Sequence, residues 1–357
     1  MIAPNLYSYI YLIVCSLFLV VYSNYYTKSV SNTSKVNVSA LLVFFVPILA
    51  VFIGTRPESV GSDTTQYMQH YEFEQGRVFQ WDKDAQNLIF DNLFSLFSSW
   101  KLDIEWFFIL IAMIYFGSIA VACKKLFPQK QEIAFLSCLL AFSTFSYATD
   151  GIKAGAAASI FLVALAYRRN MALSVALALL SIGFHHSMKV VAYAYVIVYF
   201  YKNTKMYFYG WLFATFIAIA HIGAFQEIFA SYADEKAKDY LAGGGFMTGF
   251  RPDFILYSAM PIVVGYIMYV KRKIRNDAYE LWLRLYLMTN SIWMLCMYAS
   301  YTNRIAYLSW FLYPIVLIYP YLNNNMGTFR KKEGRNVIMY HMLFTIFMEI
   351  VYYGLMK

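Results

Sequence analysis

The stretch ALLVFFVPILAVFIGTRPESVGSDTTQYMQHYEF, residues 40–73, changes character near its middle. Its first part carries no charged residue, whereas the part that begins at Arg56 combines an arginine with acids, a glycine and hydroxyl groups. A helix needs about 20 apolar residues to cross the ~30 Å hydrocarbon core of a bilayer. The apolar part therefore predicts a membrane-spanning helix, and the polar part predicts a structure at the membrane surface.

The whole chain has the composition of a membrane protein. Of its 357 residues, 61% are hydrophobic and 14% are charged, whereas a soluble domain carries about 25% charged residues. Charge-free runs recur at 1–27, 36–55, 206–226 and 305–329. Because backbone groups cannot stay unpaired in lipid, these continuous runs predict helices rather than the alternating strands of a barrel. We predict an all-α, polytopic integral membrane protein in which residues 1–357 form a single transmembrane domain.

The apolar segments predict about twelve membrane-spanning helices. The predicted spans are 7–22, 38–54, 104–121, 132–147, 152–167, 171–184, 188–201, 207–225, 253–270, 279–299, 305–321 and 337–355. Two longer loops remain between them, at 55–103 and 226–252.

The positions of the basic residues predict the orientation of these spans. Lys and Arg gather in short cytoplasmic loops. Six loops that are each separated by two spans hold 17 of the 29 basic residues: 23–37, 122–131, 168–170, 202–206, 271–278 and 322–336. With these six loops inside, both termini and the two longer loops lie on the outer face.

Residues 171–201 could form one long helix or two short ones. A single helix would move the basic clusters at 271–275 and 330–335 to the outer face, against the charge rule. The charge distribution therefore favours two short spans with a break at FHHSMK, residues 184–189.

The first long loop contains a helical pattern of its own. Apolar residues recur at helical spacing at Ile89, Leu93, Leu96, Phe97 and Trp100. The pattern predicts a short helix, which could lie in the membrane interface or pack within the loop.

Several ionisable residues fall on the predicted outer face, where the charge rule does not account for them. These residues are Arg56, Lys153, His185, His186, Lys189, Arg251, Asp253 and Arg304. Singly, an arginine at a helix end can extend to the lipid headgroups, and a histidine can be a packed core residue. Together on one face, the cations predict a site that binds a phosphate or carboxylate next to a histidine that can accept a proton.

Other classes of site lack their motifs. The sequence has no H-E-x-x-H or cysteine–histidine cluster and no G-x-S-x-G elbow, so we expect neither a metal nor a cofactor. The net charge of +9 comes from loops between apolar segments rather than from a basic stripe on a soluble domain. No nucleic-acid partner is therefore expected.

The polar part of the opening stretch resembles a motif of the EpsG-like, Wzy-type polysaccharide (O-antigen) polymerases. Their pattern is an arginine after a transmembrane segment, followed by G-x-D-[ST]-x-x-Y-x-x-x-[YF]. Here Arg56, Gly61, Asp63, Thr64 and Tyr67 take the motif positions.

Two further stretches are similar to motifs of the same family. DGIKAGAAASIF resembles N-x-[IL]-R-Q-x-[IL]-A, with Lys153 in place of the usual arginine and Ala154 in place of the glutamine. LLSIGFHHSMKV resembles A-x-x-F-H-x-[ST]-A and points to His185 rather than His186. Weaker similarity covers GFRPDF and NRIAYLSW, which carry Arg251, Asp253 and Arg304.

The resemblance implies a reaction and a location. Such enzymes join oligosaccharide repeat units carried on undecaprenyl diphosphate, at the periplasmic side of the bacterial inner (cytoplasmic) membrane, in O-antigen, capsule or exopolysaccharide synthesis. The implied partners are this lipid-linked oligosaccharide and membrane lipid, with a chain-length regulator and a flippase as candidate protein partners.

The resemblance also implies roles for the outer-face residues. Cations that stabilise the departing diphosphate would be Arg56, Arg251 and Arg304, with Lys153 behind them. A base must take the proton of the acceptor hydroxyl, for which His185 is the first choice and Asp63 the second.

Two other functions fit many of the same features. An O-antigen ligase, or another glycosyltransferase that uses a lipid carrier, would share the outer-face cations and the histidine. A flippase for the lipid-linked unit would instead place charges in a central cavity open to both sides, often between two related halves. The crowding of unexplained charges on one face favours catalysis there.

Overall fold

A computed structural model describes residues 2–28, 39–222, 249–323 and 331–353. Within these ranges the regular structure is helical and no strand occurs. In chain order, α1 to α16 are Tyr7–Lys28, Ala40–Gly54, Thr64–Glu74, Leu88–Ser99, Ile104–Leu126, Gln131–Leu139, Phe142–Thr149, Ile152–Ala166, Met171–Phe184, Met188–Phe200, Thr204–Ile219, Pro252–Tyr266, Asp277–Leu295, Thr302–Trp310, Tyr313–Leu322 and Lys331–Ile346. Short π-helical segments, Ile267–Lys271 and Phe347–Tyr352, continue α12 and α16.

Every predicted span overlaps at least one of these helices, although several helices begin or end outside the predicted bounds. Among the described residues, four helical segments are long and apolar enough to cross a membrane: Pro4–Asn24, Ile104–Leu126, Pro252–Lys271 and Thr302–Leu322. The bent pair α6–α7 makes a fifth if it counts as one span. The chain is thus an all-helical membrane protein, as predicted, whereas the number of twelve spans stays a prediction. Of the predicted second outer loop, residues 226–248 lie outside the described residues.

The described helices form two compact units. Residues 1–188 with 321–357 form the first, and residues 189–320 form the second. In the first unit α5 packs against α2 and α8, and α8 packs against α9. In the second unit α13 packs against α11 and α14.

The predicted span 132–147 is broken in the structure. Helices α6 and α7 meet at an angle of 70° around residues 140–141. The last carbonyls of a helix have no partner within the helix, and in lipid an unpaired carbonyl is costly. Side chains supply the missing donors: His341 Nε2 to Ser137 O at 3.0 Å, Thr144 Oγ1 to Cys138 O at 2.7 Å, Tyr11 OH to Leu139 O at 2.8 Å and Thr345 Oγ1 to Leu140 O at 2.7 Å. The break is therefore closed by hydrogen bonds from α1, α7 and α16.

A buried polar network holds the second unit together. Asn290 accepts a hydrogen bond from Trp211 Nε1 at 2.7 Å, and its amide donates to Ser258 Oγ at 3.1 Å and to Ser309 Oγ at 3.0 Å. Trp310 Nε1 also donates to Ser258 Oγ at 2.8 Å. Hydrogen bonds of this kind satisfy polar side chains between membrane helices, and here they connect α11, α12, α13 and α14.

Candidate functional site

Arg56 lies directly after α2 and is buried. Its side chain is 2% exposed, and its guanidinium stacks 4.1 Å from the ring centroid of Phe108. Nε donates to Thr64 Oγ1 at 3.2 Å, Nη1 to Ile53 O at 3.0 Å and Nη2 to Thr149 O at 3.2 Å. Arg56 thus joins the end of α2, the start of α3 and the end of α7.

The charge of Arg56 is held next to a carboxylate that the sequence patterns did not single out. Burial lowers the pKa of Arg56 to about 10, while the negative charge of Asp150 opposes this shift. The side chain therefore stays charged at neutral pH. Asp150 also accepts hydrogen bonds from the backbone N–H of Ser62 and from Ser146 Oγ.

The turn before α3 requires a glycine. Gly61 has a φ of +94°, in the region that favours glycine, and a Cβ on it would lie 2.7 Å from Thr149 O. Asp63, two residues later, is half-buried and accepts a hydrogen bond from Ser62 Oγ at 3.3 Å. The Asp63 carboxylate makes no capping hydrogen bond to α3, so capping of this helix does not explain why an aspartate stands at this position.

Lys153 stands in the first turn of α8 and faces α4. Its Nζ donates to Asp91 Oδ1 at 2.7 Å, in an ion pair whose two side chains are 28% and 31% exposed. The same Nζ lies 4.9 Å from the ring centroid of Phe90 and 5.9 Å from that of Tyr67. Lys153 and Tyr67 belong to two separate motif stretches, so the fold brings these stretches together.

The two adjacent histidines occupy a break between helices. Helix α9 ends at Phe184 and α10 begins at Met188, which confirms the predicted break. His185 and His186 are both half-buried, and their ring centroids lie 5.0 Å apart with planes inclined by 16°. His185 Nδ1 lies 2.6 Å from Ser187 Oγ.

His186 is connected to the first long loop. Its backbone N–H donates to Asn87 Oδ1 at 3.2 Å, and its Nδ1 lies 3.1 Å from the same oxygen. The backbone N–H and side-chain amide of Asn87 donate to Asp91 Oδ2 at 3.0 and 3.3 Å. A continuous chain of polar contacts therefore runs from Lys153 through Asp91 and Asn87 to His186.

Helix α4 carries Asn87 and Asp91 to this position because both of its sides are packed. Phe90 and Phe94 are buried and contact the ring of Phe107. On another side, Ile89 lies so close to Gly183 that a Cβ on the glycine would be 2.5 Å from Ile89 Cγ1. The structure shows the predicted helix packed against its neighbours, whereas its position in the membrane interface stays a prediction.

The remaining predicted site residues belong to the second unit. Arg251 donates to both carboxylate oxygens of Asp253, from Nε at 3.0 Å and from Nη2 at 2.6 Å. Its guanidinium lies 3.6 Å from the ring centroid of Phe254. Arg304 is exposed, and its guanidinium lies 4.9 Å from the ring centroid of Tyr301, which has a φ of +51°.

Comparison with known protein families identifies the family of this chain. The EpsG family matches residues 39–356. The chain is a member of the EpsG family. No curated protein and no solved structure shows significant similarity to it. Membership indicates a polysaccharide polymerase-type role, and the matched range includes every predicted site residue.

In this EpsG-family protein, the structure joins residues that the sequence could place only on the same predicted face. Arg56 and Thr64 reach Thr149, next to the second motif stretch. Lys153 reaches α4, and α4 reaches His186. The first unit thus combines cations, carboxylates and histidines from residues 55–103, 148–153 and 185–187.

Two polar residues of this cluster, Asn87 and Asp91, lie outside the stretches that resemble EpsG motifs, whereas Asp150 stands at the first position of the second motif, in place of its asparagine. Asn87 directly precedes α4, a position that favours asparagine, and Asp91 lies in the first turn of that helix. A capping pattern could therefore have drawn attention to them. In the described part of the chain, no group of three or more His, Cys, Asp and Glu side chains is arranged to hold a metal ion.

Proposed function

We propose that this protein polymerises undecaprenyl-diphosphate-linked oligosaccharide repeat units at the periplasmic face of the bacterial inner membrane, with both termini on that face. The supporting observation is the polar cluster of the first unit. Its residues come from the first long loop, from the segment between α7 and α8 and from the histidine break, all of which the charge rule predicts on one face. Membership in the EpsG family supports the same reaction class.

The reaction transfers a glycan between two lipid-linked units. The bond between the anomeric carbon of the growing glycan and its diphosphate breaks, and a new bond forms to a hydroxyl oxygen of the acceptor sugar. The hydroxyl proton goes to a base of the protein, and undecaprenyl diphosphate leaves. Because the leaving group is already a diphosphate, positive charge near its oxygens is the main catalytic requirement.

The geometry divides the predicted cations into different roles. In the first unit, Lys153 is partly exposed, and we assign it to a contact with a diphosphate. Arg251 and Arg304, in the second unit, keep the diphosphate-binding role that the family resemblance implies. Arg56 is 2% exposed and donates to three protein oxygens. We assign Arg56 to positioning the turn that presents Asp63 and Tyr67.

The other motif residues would bind and activate the acceptor. Asp63 is half-buried and lies beside this turn, where it can accept a hydrogen bond from a sugar hydroxyl or act as a second base. Tyr67 is half-buried, and its ring can stack against a sugar. The histidine pair supplies the base that takes the acceptor proton.

Deletion of the gene in its own host tests the proposal. Surface and lipid-linked glycans are separated on a gel, with the deletion strain carrying either the wild-type gene or an empty vector. Polymerase function predicts that the ladder of the wild type collapses to a single repeat unit and returns with the gene. Loss of every repeat from the surface would contradict it and favour a flippase, and intact long chains that remain on the lipid carrier would favour a ligase.

A further inference from the structure

The two adjacent histidines have their protons on different ring nitrogens. His185 Nδ1 lies 3.3 Å from the backbone N–H of Ser187, a group that can only donate. Nδ1 of His185 is therefore an acceptor, and in the neutral imidazole the proton is on Nε2. His185 therefore carries its N–H donor at Nε2.

His186 has the opposite arrangement. Asn87 Oδ1 receives the backbone N–H of His186 at 3.2 Å, and Asn87 Nδ2 donates to Asp91 Oδ2 at 3.3 Å. These two contacts fix which end of the Asn87 amide faces the histidine. Because Oδ1 can only accept, His186 Nδ1 at 3.1 Å must carry the proton. The lone pair of neutral His186 is therefore on Nε2.

The contacts of His186 hold its ring in one tautomer and orientation. Nε2 lies 3.5 Å from Gln86 Nε2, an amide that can donate to a lone pair. When Nε2 becomes protonated, Nδ1–H keeps its acceptor on Asn87. Asn87 in turn donates to the Asp91 carboxylate, which the ion pair with Lys153 holds in place. A hydrogen-bond acceptor on one ring nitrogen fixes the tautomer of the imidazole and the orientation of the ring, and so determines where the other nitrogen points.

We propose that His186, rather than His185, is the general base of the glycosyl transfer, that Asn87 is its positioning residue, and that His185 donates a hydrogen bond through Nε2–H. This assignment rests on the proposed function. His186 Nε2 takes the proton of the acceptor hydroxyl while that oxygen bonds to the anomeric carbon and undecaprenyl diphosphate departs. The imidazolium then releases the proton to water.

A matched pair of glutamine substitutions separates the two histidines. A glutamine amide can replace the N–H donor of a histidine but cannot accept a proton. His186→Gln should lower the turnover number by at least about 100-fold, whereas His185→Gln should lower it by less than about tenfold, because one hydrogen-bond donor is retained. His70→Gln is the control, since His70 is an exposed residue paired with Glu74 on α3.

The assay uses the purified full-length protein and lipid-linked repeat units extracted from the deletion strain. A loss in His185→Gln as large as that in His186→Gln, or larger, would overturn the assignment of the base. If the wild-type protein does not lengthen the lipid-linked glycan, the proposed function is wrong, and so is the assignment of His186 as the base. These two failures differ in whether the wild type is active.

A second variant keeps the test valid if His186→Gln does not fold. His186→Ala leaves space beside Gln86 and Asn87 for a small base. Added imidazole should restore at least about tenfold of the lost rate in His186→Ala and none in His185→Ala. Equal restoration in both variants, or restoration in His185→Ala only, would contradict the proposal.

Discussion

Two breaks between consecutive helices, at residues 140–141 and 185–187, have opposite character. At the break between α6 and α7, Leu139 and Leu140 are fully buried. Two threonines, a tyrosine and a histidine donate hydrogen bonds to the backbone carbonyls of four consecutive residues, 137–140. At the break between α9 and α10, His185 and His186 are half-buried, and the polar contacts lead to the ion pair of Asp91 and Lys153.

The comparison shows that the polar groups at a helix break can either stabilise the fold or form a candidate functional site. At the first break, the side chains of Tyr11, Thr144, His341 and Thr345 donate their hydrogen bonds to backbone carbonyls. The second places ionisable groups at a partly exposed edge, where they can exchange protons. Burial and the identity of the hydrogen-bond partners, rather than the break itself, distinguish the two.

Apart from the substitutions of His186 itself, the largest effect is expected from Asn87→Ala at the histidine break. The change removes the acceptor that fixes His186 Nδ1–H and should lower kcat by about 10- to 100-fold, with little change in KM. Transfer assays over a range of acceptor concentrations measure both constants. An altered KM with an unchanged kcat would show that Asn87 binds substrate and does not position the base.

A somewhat smaller effect is expected from Gly183→Ala. The added Cβ would meet Ile89 Cγ1 at 2.5 Å, which forces α4 away from α9 and moves Asn87 relative to His186. We expect about a tenfold loss of turnover, since a displacement of this kind at a catalytic group is costly.

A second substitution tests the cause of that loss. Ile89→Ala removes the atom that the new Cβ would meet, so the double variant Gly183→Ala, Ile89→Ala should recover most of the activity. If the losses of the two single changes add, the contact between α4 and α9 does not control the histidine.

At the other break, Thr345→Val should affect stability rather than turnover. The substitution keeps the shape of the side chain but removes the donor to Leu140 O, which lies 2.7 Å away. We expect a loss of about 1–3 kcal/mol in the free energy of unfolding, measured by thermal unfolding in detergent. Activity per folded molecule should stay the same. A large fall in kcat would contradict the assignment of a purely structural role to the break between α6 and α7.

The smallest effect is expected from Lys153→Arg. Arginine retains the charge and can pair with Asp91, and it restores the residue usual in the family motif. Turnover should change by less than about threefold, because the positive charge that we assign to a diphosphate contact is preserved. A loss above tenfold would mean that the compact ammonium group is required at this position.

Hydrophobic and charge patterns in the sequence predicted much of the fold. The apolar runs located the helices. The alternation of basic loops predicted the break at residues 184–189, because a single helix there would have reversed the membrane orientation of every later span. The break at residues 140–141 was not predicted. Its hydrogen-bond donors Tyr11, His341 and Thr345 lie 128 to 205 positions away in the sequence, so no local pattern contains them.

The site was only partly predictable for the same reason. The motifs indicated Arg56, Lys153 and His185, but their surroundings depend on distant residues. Arg56 is buried because Phe108 and Thr149 cover it. His186 acquires its orientation from Asn87, which lies 99 positions earlier.

The central claim is that this protein alone transfers a glycan from one lipid diphosphate to another. The most direct measurement incubates the purified wild-type protein with lipid-linked repeat units from the deletion strain, without any nucleotide sugar. We predict a ladder of longer lipid-linked glycans and the release of one undecaprenyl diphosphate for each bond formed. Absence of a ladder, or a ladder that requires a nucleotide sugar, would contradict the account.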